Sequence, residues 1–360
     1  MSDIPSQIES IEKEIRETPY HKGTEHHIGK LRARLSRLKD KLQESSTRKG
    51  GGGGGGYAVK KQGDATVILI DPPSSGKSTL INKLTNTKSR VAPYAFTTVS
   101  VIPGMMEYRN ARIQILDVPG LIEGAEEGKG RGREVLSVAR GADLIVLMTD
   151  IERPEALDRI KAALERNGIR LNIVRPNVIC DKKLGGGIVL HTNIKQDLSK
   201  ETIKAVIQEL GIKNAEVAIN EKLTIARLID AFSPNRVYLP VFFIINKVDM
   251  PETKKKSNDL NHWNKISAEK GIGLEQLKEK IWETLYFVRI YLVRPDEEPG
   301  FGNPIIMKNE QTLSDVTQKI GSEFAEGKTR ARIWGTGAKF AGQEVSLSTK
   351  VLEGMQVRFI

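Results

Sequence analysis

The sequence predicts an α/β protein built around a mostly parallel sheet, preceded by a helical hairpin and followed by a small β-rich module. Three observations carry that expectation. Short apolar runs of strand length alternate with helical stretches between residue 65 and about residue 290. A paired helical pattern with a clear break precedes them, and the last 70 residues alternate short strands with one helical stretch.

A chain of 360 residues has room for two or three domains, each with its own core. The longest apolar run, residues 238–245, is far short of the roughly 18 residues needed to span a membrane, so no membrane role is expected. The polar opening MSDIPSQIES leads to the expectation of no signal peptide, and the lone Cys180 excludes a disulfide framework or a multi-cysteine zinc site. Both point to a reducing, cytoplasmic setting. The net charge of +11 permits a polyanionic partner such as RNA. Residues 1–49 carry 11 basic and 8 acidic side chains and residues 291–360 carry 9 of each, leaving +8 of the +11 to the middle of the chain.

In residues 1–49, Ile8, Ile11 and Ile15 recur at helical spacing, the pattern breaks at Thr18-Pro19, and Ile28, Leu31, Leu35, Leu38 and Leu42 resume it. A helical hairpin follows from that spacing. Its interleaved Arg32, Arg34, Arg37, Lys39 and Lys41 can face RNA or can form the solvated face of a small coiled coil. Residues 50–64 open with seven consecutive glycines, the composition of a flexible tether between domains.

Residues 65–290 read as the α/β domain. Buried-strand runs stand at 67–70, 113–116, 144–148 and 241–245, a helix starts near Lys77, and Leu274, Leu277, Ile281 and Leu285 mark a closing amphipathic helix. The stretch between Asp150 and Tyr238 is too long for one crossover. An inserted α+β subdomain is expected at about 165–235, with a hairpin turn at Gly185, Gly186 and Gly187 and a helical stripe of Ile203, Val206, Ile207 and Leu210. Residues 291–360, after a Pro- and Gly-rich stretch, suggest a small sheet packed on one helix around 313–324.

Four short motifs occur in order, three of them at predicted strand ends. The first, Asp71-Pro72-Pro73-Ser74-Ser75-Gly76-Lys77-Ser78-Thr79, matches GxxxxGK[ST] except at its first glycine. Such a strand-to-helix turn aims backbone N–H groups at phosphates, its lysine neutralises the β and γ oxygens, and its serine hydroxyl ligates Mg²⁺. The second, Asp117-Val118-Pro119-Gly120, sets a carboxylate for Mg²⁺ and a side-chain-free N–H that can approach a γ-phosphate. In the third, Asn246-Lys247-Val248-Asp249, the carboxylate of Asp249 can accept from guanine N1–H and the exocyclic amine. Adenine offers no such pair, and sites built on such bonds discriminate by roughly 10⁴. The fourth, Ser267-Ala268-Glu269, offers loop backbone to the guanine O6. Together they define a site for GTP or GDP.

On these motifs, with Tyr94-Ala95-Phe96-Thr97-Thr98 and the run DVPGLIEGAEEGKGRGR from Asp117 to Arg133, the sequence resembles the DRG (developmentally regulated GTP-binding protein) branch of the Obg-type GTPases, of archaeal type. The resemblance covers nearly the whole chain. It implies a Ras-like P-loop GTPase core, an insert ending in a β-α-β-like unit, and a C-terminal β-grasp module of the TGS kind. It also implies that Thr98 completes Mg²⁺ coordination when GTP is bound, with Thr97 as the other candidate and Phe96 lying along the nucleotide.

The same resemblance implies in-line attack of water on the γ-phosphate, with Lys77, Thr98 and Gly120 as the catalytic set. Leu121 stands where Ras-like enzymes keep a water-orienting glutamine, so intrinsic turnover is expected to be slow. A monovalent cation, typically K⁺, or a protein activator that orders the switch segments is implied in its place. The implied role is a switch in translation or at the ribosome. Three positions depart from the family's usual Gly-Phe-Pro-Ser-Val-Gly-Lys-Ser: Asp71, Pro72 and Ser75. A carboxylate about 4 Å from a phosphate charge costs roughly 4 kcal/mol at an effective dielectric near 20. Pro72 biases Asp71 to extended backbone, which can turn its side chain off the phosphates. The alternative function is a non-hydrolysing guanine-nucleotide or RNA-binding scaffold with a P-loop impaired by Asp71.

Overall fold

The computed structural model describes residues 3–48, 62–85, 102–117, 138–150, 152–250 and 263–360. The glycine run, Phe96, Thr97, Thr98, Gly120 and Leu121 lie outside the described residues. The chain forms two compact units, Met1–Gly56 with Gly168–Tyr238 and Tyr57–Asn167 with Leu239–Ile360.

The hairpin consists of α1 (Ile4–Glu17) and α2 (Glu25–Arg48). Thr18 ends α1 by donating its N–H and its hydroxyl to the Glu14 carbonyl, at 3.0 and 2.7 Å, and Pro19 prevents continuation. Lys39 bridges to Glu12 at 2.7 Å, the Arg32 guanidinium lies 6.0 Å from the Tyr20 ring centre, and Ile11, Ile28 and Leu31 are buried.

The second unit opens with β1 (Ala65–Ile70), α3 (Lys77–Leu84), β2 (Ile102–Tyr108), β3 (Ala111–Asp117), β4 (Leu144–Asp150) and α4 (Glu155–Arg166). Every residue of β1 and of β4 is buried, which is why both read as unbroken apolar runs rather than alternating ones.

The insert contains β5 (Ile169–Leu171), β6 (Val178–Lys182), β7 (Ile188–Thr192), α5 (Lys200–Glu209), β8 (Ala215–Ile219), α6 (Ile225–Phe232) and β9 (Val237–Leu239). The hairpin expected at Gly185, Gly186 and Gly187 does not form. The sheet order is β6-β8-β7, with β8 antiparallel to β6 and parallel to β7. The segment β7-α5-β8 is a parallel β-α-β crossover, and the returning β8 occupies the place beside β6 that a hairpin partner would have taken. Ala33 of α2 is fully buried in one cluster with Ile203, Val206, Ile207, Val217 and Leu228, so hairpin and insert share a core. Near it, Arg236 donates to Ser36 Oγ at 2.6 Å and to Asp230 at 2.8 Å, and Arg170 meets the other Asp230 oxygen at 2.6 Å.

Returning to the second unit, β10 (Val241–Asn246), β11 (Asn264–Lys265) and α7 (Leu274–Thr284) complete the core. Its six-stranded sheet has the order β11-β10-β4-β1-β3-β2, every neighbouring pair parallel except β2 with β3. The C-terminal module follows as β12 (Phe287–Leu292), β13 (Pro304–Lys308), α8 (Leu313–Ile320), α9 (Ser322–Ala325), β14 (Arg330–Trp334), β15 (Gln343–Ser346) and β16 (Gln356–Phe359). Its sheet order is β13-β12-β16-β14-β15 with β12 parallel to β16, the arrangement of a β-grasp. The single helix expected around 313–324 is broken at Gly321, which ends α8 and precedes α9. Phe287 and Ile306 join Trp282 and Ile281 in the main core cluster, and Lys319 meets Asp64 at 2.7 Å.

Candidate nucleotide-binding site

Ligands of open α/β sheets collect at the carboxyl ends of the strands, where the connections part to either side. Here β1 runs between β3 and β4, and the segment that follows it, Asp71 to Gly76, turns into α3. Two residues of the turn adopt left-handed backbone, Ser74 at φ 64° and Gly76 at φ 97°. Gly76 also stands against β10, since a Cβ built on it would lie 2.4 Å from Asn246 Nδ2. No larger residue fits that approach.

The turn is held by three polar contacts, two from the end of β10 and one from the segment after β4. Asn246 donates to the Ser75 carbonyl at 2.8 Å, and Lys247, itself at φ 64°, donates to the Ser74 carbonyl at 2.8 Å. Arg153 donates to the Pro73 carbonyl at 2.8 Å. Asp150, at the end of β4, ties the last two together through Arg153 at 2.8 Å and Lys247 at 3.4 Å. Burial pushes its carboxyl up, but the two cations outweigh that and hold it below the usual carboxylate range.

Inside the turn, Lys77 points back toward two carboxylates. Its ammonium lies 2.7 Å from Asp71 and 2.9 Å from Asp117, which ends β3. Asp71 also accepts a hydrogen bond from the Ser75 hydroxyl. Burial pushes the Asp71 carboxyl up, with Lys77 and Ser75 opposing it. Burial likewise opposes the charge on Lys77, yet Asp71 and Asp117 outweigh it and raise its pKa above the ordinary lysine value. The Asp71 side chain, for which extended backbone was expected to allow a course off the phosphates, faces the cation that the motif reserves for phosphate. The reason is electrostatic, because a carboxylate with 5% exposure needs a counter-charge.

Pro72 is buried, whereas Pro73, Ser74, Ser78 and Thr79 are exposed at the mouth of the turn and the first turn of α3. The N–H groups of Lys77, Ser78 and Thr79 have no carbonyl four residues back within the helix. Asp117 and Ser78 offer only hard oxygen donors, a set suited to Mg²⁺ rather than to a softer metal.

On the other side of Asn246, its Oδ1 accepts from Ala268 N–H at 2.9 Å, and Val248 N–H donates to the Ile266 carbonyl at 3.2 Å. Asp249 is drawn to the same loop. The Ser267 hydroxyl and backbone hydrogen bonding hold its carboxyl below the ordinary aspartate value. The third and fourth motifs thus form one connected wall, and the first motif is joined to it through Asn246. Sequence reasoning missed Asp150 and Arg153. The available signal was a carboxylate at the carboxyl end of a buried strand, the placement that singled out Asp117.

The comparisons with known proteins agree with this geometry. Residues 66–180 match the family described as 50S ribosome-binding GTPase, and residues 185–287 match the C-terminal region of that domain. An uncharacterized GTP-binding protein of Methanocaldococcus jannaschii is 44% identical over 359 residues, covering 98% of this chain and 91% of its own. Human developmentally-regulated GTP-binding protein 2 is 38% identical over 349 residues, covering 96% of each chain. The chain belongs to the developmentally regulated GTP-binding protein family. Developmentally-regulated G-protein 3 of Arabidopsis thaliana, 40% identical over 96% of this chain and 95% of its own, extends the same likeness to plants. As a family member the chain is a GTP-binding protein with a P-loop GTPase fold. Among the described residues, no helix is long and apolar enough to cross a membrane.

Proposed function

We propose that the chain binds GTP and GDP, hydrolyses GTP to GDP and phosphate, and serves as a switch in translation or at the ribosome. The observation that carries this reading is the gathering of Lys77, Asp117, Asn246 and Ala268 around one strand-to-helix turn, with Asp249 beside Ser267. In it Ser74, Ser75, Gly76, Lys77, Ser78 and Thr79 cradle the phosphates through backbone N–H groups and the α3 N-terminus, with Asp71, Pro72 and Pro73 shaping the approach. Asn246 braces the turn, Lys247 flanks the base, Asp249 reads its edge, and Ser267 and Ala268 line its far side.

Ser78 and Asp117 would hold Mg²⁺, and Thr98 its remaining protein position, with Phe96 and Thr97 alongside. Bound there, the ion supplies charge neutralisation at the phosphate oxygens. Gly120 N–H would meet the γ-phosphate, and Leu121 makes turnover slow without K⁺ or a protein activator. The family description naming 50S ribosome binding and the basic charge of the chain support a ribosomal or RNA partner in the cytoplasm, with the β-grasp module acting as a TGS domain.

The test is titration calorimetry with GTP, GDP and ATP, with and without Mg²⁺. Binding of both guanine nucleotides but not ATP is expected; absence of guanine-nucleotide binding overturns the reading. A second reading, a non-hydrolysing scaffold, is favoured by the Asp71–Lys77 pair. Single-turnover hydrolysis in K⁺ and in Na⁺, for the native chain and Asp71→Gly, separates the two.

A further inference from the structure

Five cations interleave along α2, and the structure divides them. Arg32 lies over the Tyr20 ring and Lys39 pairs with Glu12, so these two serve the hairpin itself. Arg34, Arg37 and Lys41 are exposed, and Lys30 joins them one turn earlier. Positions 30, 34, 37 and 41 advance by four, three and four residues, which places them on a single face of the helix. The face toward α1 carries Ile28 and Leu31, and the face toward the insert carries Gly29, Ala33 and Ser36. Between Lys30 and Lys41 the third face carries these four basic residues alone. Arg37 donates to the Glu209 carbonyl at 3.2 Å, a contact that leaves its charge uncompensated. Among the described residues, no carboxylate lies within ion-pairing distance of Lys30, Arg34, Arg37 or Lys41.

We propose that Lys30, Arg34, Arg37 and Lys41 form a docking surface for the phosphate backbone of duplex RNA. The assignment rests on the reading of the chain as an RNA- or ribosome-directed GTPase, and it names the surface that reading lacks. The stripe is about 16 Å long at 1.5 Å per residue. Over that length a duplex presents on the order of ten phosphate charges, taking roughly one per 1.7 Å of axis. Four cations with no carboxylate paired to them among the described residues match such a row. The stripe has no apolar side chain to insert into a bilayer or to anchor a protein partner. A-form RNA keeps its major groove too narrow for side chains to read, so the recognition falls on backbone shape and charge and is independent of sequence.

The test uses the full chain and a fluorescein-labelled 20-base-pair RNA duplex, followed by anisotropy across a salt series. In one variant Lys30, Arg34, Arg37 and Lys41 are all changed to Gln. In a control with the same charge change, the exposed Arg159, Lys161, Lys280 and Arg330 become Gln. The stripe variant is expected to bind at least about tenfold more weakly at 50 mM salt, with a salt slope shallower by about 3 to 4. The control should stay within about threefold of native, and both variants should keep native circular dichroism and native GDP affinity. If the native chain binds the duplex and the stripe variant binds equally well, or the control loses as much, the surface is wrong while the RNA reading stands. If the native chain binds no RNA at any salt, both fall. Loss confined to binding of vesicles with 30% anionic lipid also overturns the proposal.

Discussion

The Lys77 ammonium lies 2.7 Å from the Asp71 carboxylate, so the lysine of the phosphate turn is already paired with an anion of its own chain. A nucleotide must displace that carboxylate or share the cation with it. Asp71→Gly should therefore bind GDP more tightly, by up to about a thousandfold if the full like-charge term of roughly 4 kcal/mol is removed. Calorimetry on the two chains decides it. Equal affinities would mean that Asp71 turns aside without cost.

The Ser267 hydroxyl holds the Asp249 carboxyl below the ordinary aspartate value, and under the proposed function that carboxylate accepts from a guanine edge. Asp249→Asn should lower GDP affinity and raise xanthosine diphosphate affinity, with a change in preference of about 10² or more. Competition between the two nucleotides is the measurement, and an unaltered guanine preference removes Asp249 from the base site.

Gly76 combines left-handed backbone with the 2.4 Å approach to Asn246 Nδ2. Gly76→Ala should cost about 2–4 kcal/mol from strain and from displacing the Asn246 hydrogen bond. Differential scanning calorimetry should show the second unit melting roughly 5–15 °C lower.

Asp150 is the buried anion between Arg153 and Lys247, and its pKa is below the ordinary value in the folded chain. A depressed carboxyl contributes stability that is present above the unfolded pKa of about 3.9 and is lost as pH falls through the folded value. Asp150→Asn should be less stable than native near pH 7, by about 1–3 kcal/mol. The two should converge as pH falls through the depressed folded value. Urea unfolding across an acid pH series reads the difference.

In the first unit, Asp230 holds Arg170 and Arg236 at once with little exposure to water. Asp230→Ala removes the carboxylate that both guanidinium groups share, leaving Arg236 its longer 3.5 Å contact with Asp40, and should destabilise that unit by about 3–5 kcal/mol. Hydrogen exchange should then lose protection in α6 and in the facing part of α2, while α3 and α7 keep theirs.

Strands β1, β3, β4 and β10 were legible because they are buried almost throughout and read as apolar runs of the right length, whereas β2 and β11 are only partly buried and left no such run. The candidate site was legible as motifs because Asp117 and Asn246 end the apolar runs of β3 and β10 and Lys77 opens the helix that follows β1. What escaped was set by long-range pairing. Nothing local in Ile188–Thr192 says that Ala215–Ile219 will lie beside it and displace a hairpin with Val178–Lys182. The shared core of hairpin and insert is equally silent, because Ala33 and Gly29 look like ordinary small residues until Val206 and Ile225 are placed against them. The direction of the Asp71 side chain depended on a counter-charge six residues away, which φ and ψ preferences do not encode.

The Ser36 to Arg236 contact joins positions 200 residues apart. On a ribosome adding about 5–20 residues per second, α2 leaves the exit tunnel roughly 10–40 s before its insert-facing side has anything to pack against. During that interval Ile28, Leu31 and Ala33 have only α1 for cover, and the loop that must close is long and glycine-rich at its start. The first helices made are thus among the last to reach their final surroundings, and the rate at which this unit matures is governed by chain closure rather than by helix formation.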